Sequence, residues 1–180
     1  MTTRKQLESN GTIVNHTFTF GEQSLTCPIH KGLINDLQSI FNDIKSKCPN
    51  FQIVKLSNTI RSDSHSRHNA GCAIDINAYE NPWFKSGSNS GLCLTNCTLT
   101  PQEGETMKAF ENRVHATGQY GSGSISNSSG SAGMGGTKYN PNRHTWSGTH
   151  TVVKIFLAHG WRWGGDYGDV MHYELWNSRG

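Results

Sequence analysis

A chain of 180 residues with a net charge of +3 is the size of one domain and is large enough to bury a core unaided. The charge is small and dispersed, which argues against nucleic acid or an anionic membrane as partner. No apolar run approaches the roughly 20 residues of a membrane span, while nine histidines, a high count for this length, direct attention to metal or acid–base chemistry.

The opening, MTTRKQLESNGTIVNHTF, has no apolar segment behind its charges, so no secretory signal is expected and synthesis in the cytoplasm is. Residues 11–27 then alternate polar and apolar positions (TIVNHTFTF), which predicts an opening hairpin or edge strand. From Gly32 to Lys47 the residues Leu33, Ile34, Leu37, Ile40, Phe41 and Ile44 repeat at helical spacing, the clearest amphipathic helix in the chain. FQIVKLSNTI, 51–60, reads as a strand. A second helix is expected from Thr100, where TPQE offers an N-cap, a proline at the first helical position and a glutamate at the third. Met107, Phe110 and Val114 would form its inner face. Residues 118–136 are almost pure glycine and serine and cannot bury enough apolar area to offset their ordering entropy, so they read as an insertion within a single domain spanning 1–180. A third helix is expected over Thr149 to His159, stopped by Gly160, and VMHYELW alternates like a strand.

The five cysteines, Cys27, Cys48, Cys72, Cys93 and Cys97, are odd in number and are expected as free thiols. CLTNC resembles half of a zinc site, but no second pair stands at matching spacing, which leaves ordinary thiols or a small disulfide between Cys93 and Cys97.

Two stretches carry chemistry. In GCAIDIN, strand geometry places Cys72, Ile74 and Ile76 on one face and Ala73, Asp75 and Asn77 on the other. In VMHYEL the same alternation separates Met171, Tyr173 and Leu175 from His172 and Glu174. If the two strands are neighbours, Asp75 and His172 converge. His68 stands seven residues before Asp75, roughly 23 Å if extended, whereas two ligands of one zinc sit about 3 Å apart. The chain must fold back between them, and Asn69-Ala70-Gly71 supplies a turn. Two histidines and a carboxylate with one open position is a recurrent catalytic zinc arrangement. Periodicity alone leaves the plainer alternative open, in which each is a structural hydrogen-bonding residue.

Ser66-x-His68-x-x-Gly71-x-Ala73-x-Asp75 resembles the S-x-H-x-x-G-x-A-x-D motif of the M15 zinc peptidases, the D-alanyl-D-alanine carboxypeptidases and L-alanyl-D-glutamate endopeptidases. IDINAYENPW is similar to the continuation found in their VanY-like and phage-endolysin branch, and FLAHGWRWGGDYGDVMHYEL resembles that branch's closing block. The resemblance departs at Ala78 and Tyr167, where the family has proline and tryptophan, and it has no detailed counterpart over 84–148.

The resemblance implies an α+β fold, a small, mostly antiparallel sheet with helices packed on one face, as in the related Hedgehog signalling domain. It implies one zinc ion held by His68, Asp75 and His172, with Asp169, three positions before the second histidine, as the acid–base group. Arg61 corresponds to a family arginine that binds a substrate carboxylate or the developing oxyanion. Ser66 is expected to fix the His68 loop by hydrogen bonding, Glu174 to orient a ligand, and Trp163 and Asp166, with Trp161, to wall the site. His65, His144, His150 and His159 are read as surface residues. The implied activity is hydrolysis of peptidoglycan stem peptides by a monomer, with no nucleic acid and no membrane insertion, acting on the cell wall after release. The alternative is a metal-containing, non-catalytic cell-wall or carbohydrate-binding module of the same fold.

Overall fold

The computed structural model describes residues 4–59, 66–83, 92–121 and 136–175, and its architecture is the expected α+β. A short helix, α1 (Arg4–Ser9), leads into an antiparallel hairpin of β1 (Ile13–Phe20) and β2 (Gln23–His30). Phe20 pairs with Gln23, so Gly21-Glu22 is a two-residue loop, and Gly21 adopts φ of 62° there. Period-two alternation turns Phe18 and Phe20, then Cys27 and Ile29, toward the core.

The predicted amphipathic helix is α2 (Ile34–Lys47), entered through a 3-10 turn at Lys31–Leu33. Leu37, Ile40, Phe41 and Ile44 are fully buried on one stripe, and Phe41 meets Phe18 and Phe20 edge-on at 5.4 and 6.1 Å. At about 1.5–3 kcal/mol per buried side chain, this stripe is a principal source of the helix's stability.

The second sheet is four-stranded and antiparallel, in the order β3-β4-β6-β5, with β3 (Leu56–Ser57), β4 (Ala73–Ile76), β5 (Trp161–Trp163) and β6 (His172–Leu175). The strand expected over 51–60 contracts to two residues. Asn77 is the reason: its Oδ1 accepts from the backbone N–H of Val54 (2.8 Å) and Lys55 (3.2 Å), so a side chain takes the donors a ladder would use. Ile74, Ile76, Trp161, Trp163 and Tyr173 fill the apolar side of this sheet. It is covered by α4 (Thr151–Ala158), whose Phe156 stacks on Tyr173 at 4.1 Å, and α2 packs against α4 and the hairpin. No described helix is long and apolar enough to cross a membrane.

The helix expected from Thr100 begins instead as α3 (Met107–Ala116), capped by Thr106, whose hydroxyl accepts from the Ala109 N–H at 3.2 Å. Gly104 lies between, at φ of 74°, a left-handed conformation that no helix can run through. The inner face of Met107, Phe110 and Val114 is as expected. Residues 122–135, most of the glycine- and serine-rich insertion, fall outside the described residues.

Three histidines read as surface residues are structural. His144 is buried, bonds through Nδ1 to the Asn140 backbone at 2.8 Å, and burial holds its pKa below the usual value. His150 caps α4 by accepting the Val152 N–H on Nδ1, and burial lowers its pKa to about 4, which keeps that nitrogen free to accept. His159 bridges α4 to α2: Nδ1 lies 2.9 Å from Asp36 Oδ1 and Nε2 3.0 Å from Asp43 Oδ2.

A carboxylate on each nitrogen favours the doubly protonated form of His159, and the Asp43 bond, followed by that of Asp36, raises its pKa. A raised folded pKa means that the stabilisation is complete below the unfolded value of about 6.5 and is lost as pH rises through the folded value. His159→Gln is therefore expected to melt several degrees below the parent near pH 6. The gap should narrow steadily as pH is raised, and a gap independent of pH in thermal melts would refute the bridge.

Candidate metal centre

The site is built on the sheet face opposite the core. Asp75 in β4 pairs directly with His172 in β6, and directly opposed residues share a face. The next pair on that face is Ala73 with Glu174, where the small alanine faces the glutamate, and Arg162 of β5 flanks Glu174 in turn. His68 arrives from the 3-10 turn Arg67–Ala70, which ends at Gly71 with φ of 69°. That glycine docks on the hairpin: its carbonyl accepts the His30 N–H at 2.9 Å, and a Cβ there would lie 2.6 Å from the same nitrogen. Both the turn and the close approach require glycine.

Three ligand atoms meet at one buried point. His68 Nε2 is 3.0 Å from His172 Nδ1 and 3.3 Å from Asp75 Oδ1, and the latter two are 3.2 Å apart. Bonds of about 2.0–2.1 Å around a tetrahedral ion separate its ligands by roughly that much. Among the described residues, these three form the one group of histidine, cysteine and acidic side chains able to hold a metal ion.

The remaining nitrogens decide what the triangle is. His68 Nδ1 lies 3.1 Å from Asn58 Oδ1, and His172 Nε2 lies 3.2 Å from Glu174 Oε2. Each outward nitrogen faces an acceptor and so carries the hydrogen, which leaves bare lone pairs on the two inward nitrogens. Two lone pairs and a carboxylate converging in a buried space are the donor set of a bound cation. Without one, a proton serves. Burial would lower the His172 pKa, but bonds to Asp75 and Glu174 and the charge of Asp169 overcome it and lift the value to about 9. Burial likewise opposes ionisation of Asp75, yet both histidines hold its pKa well below the usual carboxylate range.

Asp169 is 4% exposed, and its charge is felt at His172. It sits at the head of the turn into β6, where its N–H donates to Gly164 O (2.9 Å) and its carbonyl accepts from His172 N–H (3.2 Å). Gly164 has no room for a side chain, since a Cβ would stand 2.5 Å from Asp169 O and 2.9 Å from His172 Cβ. Trp163 braces this turn from behind, donating Nε1–H to Val170 O at 2.9 Å.

Other expected residues are placed differently. Trp163 does not wall the site, because its register with Tyr173 puts it on the core face, and Trp161 is there too. The Ser66 hydroxyl makes no capping bond, but its carbonyl accepts the Asn69 N–H at 3.0 Å, and the His68 loop is held further by Gly71 and by Arg4, which donates to His68 O at 2.7 Å. Asp166 accepts from Thr95 and from Arg162 Nε, the latter at 3.2 Å. Arg162 reaches Glu174 Oε1 at 3.8 Å and stacks over Tyr167, so Asp166 borders the site through Arg162. Arg61 and His65 lie outside the described residues. All five cysteines are free thiols, Cys93 exposed and Cys97 buried. Arg4, Asn58 and Arg162 carry no sequence signal, because what singles them out is a partner distant along the chain.

A small antiparallel sheet that brings two imidazoles and a carboxylate to one buried point, with the charge of a further buried acid reaching one imidazole, has a donor set that could hold a metal ion. The chain belongs to the M15 peptidases: the family model described as D-alanyl-D-alanine carboxypeptidase matches residues 60–175. That match spans His68, Asp75, Asp169 and His172 and supports a peptidase of peptidoglycan-related activity. No curated protein and no solved structure matches the chain.

Proposed function

We propose that the protein is a zinc-dependent peptidase that hydrolyses peptidoglycan stem peptides, either between L-alanine and D-glutamate or by releasing terminal D-alanine, in cell-wall lysis. The observation that carries this reading is the triangle of inward-facing acceptors on His68, Asp75 and His172, with the acid of Asp169 beside it.

His68, Asp75 and His172 would hold the zinc, which supplies Lewis acidity and acidifies a water molecule. Asp169 takes the proton of the attacking water and returns it to the leaving amine. Glu174 keeps His172 in its ligating tautomer through Nε2. Its own pKa, which burial would raise, is lowered by the bond to His172 and by Arg162 and Arg67, so it stays ionised as an acceptor. Arg61 is assigned to the substrate carboxylate or the developing oxyanion.

Mass spectrometry of purified muropeptides incubated with the zinc-loaded protein tests the reading and identifies the bond. New amino termini or free D-alanine are expected, abolished by chelation and restored by zinc. A protein that binds one zinc per chain yet releases neither product is the non-catalytic module instead.

A further inference from the structure

The N-terminal helix α1 lies outside the family match, and six residues of isolated helix are not stable in water. It is anchored by Arg4, which is 5% exposed although arginine is almost never buried without partners. Its Nε donates to Glu8 at 2.7 Å within the helix, and its Nη1 leaves the helix altogether. Nη1 donates to His68 O at 2.7 Å and to Asn58 Oδ1 at 3.2 Å, with Asn58 O at 3.5 Å.

Asn58, also 5% exposed, is held at both ends of its amide. Its Nδ2 donates to Pro28 O in β2 at 2.6 Å, and its Oδ1 faces the guanidinium. Flipping the amide would set its NH2 against a cation and its oxygen against a carbonyl, so the orientation is fixed by chemistry. The oxygen's remaining capacity points at His68 Nδ1, 3.1 Å away. An acceptor there forces a neutral imidazole to carry its hydrogen on Nδ1. Nε2 is then the bare nitrogen, and Nε2 is the atom that faces His172 and Asp75.

We infer that Arg4 and Asn58 are positioning residues of the metal centre: together they select the ligating tautomer of His68 and hold its ring and backbone in place. Arg4 grips the backbone of the ligand and polarises the amide that grips its ring. The two histidines are thereby held by unlike partners, His172 by the carboxylate of Glu174 and His68 by a neutral amide leashed to a cation. The inference rests on His68 being a metal ligand. It adds that part of the centre is supplied from residues preceding the matched region. Groups that orient metal-bound histidines in this way typically contribute 10–100-fold in metal affinity.

The test uses the full chain freed of metal, with zinc affinity measured by competition against a chromophoric chelator. Two-bond 1H–15N spectra of the metal-free protein read the His68 tautomer, and thermal melts report folding. Asn58→Ala is expected to weaken zinc binding about 10–100-fold and to lose the pure Nδ1–H form of His68. Asn58→Asp keeps an acceptor toward His68 but sets an oxygen against Pro28 O, so it is expected to keep that tautomer and to lose clearly less zinc affinity than Asn58→Ala. Arg4→Met should weaken zinc binding by about 3–10-fold, and it carries the same test should Asn58→Ala not fold.

An Asn58→Ala protein that binds zinc within twofold of the parent with its tautomer unchanged overturns the inference. So does a folded Asn58→Asp protein as impaired as Asn58→Ala, because a purely structural role would make both equally damaging. A parent protein that binds no zinc overturns the metal centre itself and this inference with it. Normal zinc binding in the parent with no effect of the variants overturns this inference alone.

Discussion

Asp169→Asn is expected to abolish hydrolysis of stem peptides while leaving zinc bound. Asparagine matches aspartate in size, and the turn is held by backbone bonds, Asp169 N–H to Gly164 O and His172 N–H to Asp169 O, which the exchange does not touch. What it removes is a carboxylate able to accept and return a proton, a contribution of about 10²–10⁴-fold in rate. The rate constant should fall by that factor, with zinc stoichiometry and melting temperature little changed. The competing base is Glu174, on the same sheet face as His172. Its carboxylate is engaged by His172 Nε2 at 3.2 Å and approached by Arg162 at 3.8 Å, an arrangement suited to orienting a ligand. Glu174→Gln should therefore act mainly through metal affinity. Full activity in Asp169→Asn beside inactivity in a zinc-loaded Glu174→Gln would exchange the two roles.

The convergence of Asp75 and His172 was legible because strand geometry is nearly deterministic. Alternation put Asp75 and His172 on polar faces of two strands, and pairing them in register brings the side chains together whatever the rest of the fold does. The helical stripe of Leu37, Ile40, Phe41 and Ile44 was legible for the same reason, a strong period over a long segment.

Where side chains compete with the backbone, the pattern misleads. TPQE has the composition of a helix start, but Glu105 takes the Gln102 N–H at 2.8 Å and binds Arg113, closing a local turn before the helix opens at Thr106. FQIVKLSNTI has strand composition, yet Asn77 from a different loop occupies its donors. Asn58 and Arg4 are harder still. Their meaning lies in contacts of Arg4 with residues 54 and 64 positions away, and nothing in LSNTI or TTRKQ marks either. The histidine count pointed to chemistry, but His144, His150 and His159 serve a turn, a helix cap and an interhelix bridge.

Asp75→Asn is expected to remove both the metal and the stability that the metal confers. The change is nearly isosteric, so the β4–β6 pairing should persist, but it deletes the only formal negative charge among the three converging ligands. A ligand that binds only the folded state stabilises it by RT ln(1 + [L]/Kd), about 4 kcal/mol at a thousandfold excess over Kd. For a domain of this size 1 kcal/mol shifts the melting temperature by roughly 2–4 °C, so chelation should lower that of the parent by about 8–16 °C. Asp75→Asn should show no drop when chelator is added, and it should melt below the chelated parent, because in the metal-free protein Asp75 also bonds both histidines. The control against general damage is the metal-free comparison. If the parent's melting temperature does not fall on chelation, the stability argument for the metal fails. If it still binds zinc tightly and responds to chelator as the parent does, His68 and His172 hold the ion with other ligands, and the triangle is not the centre.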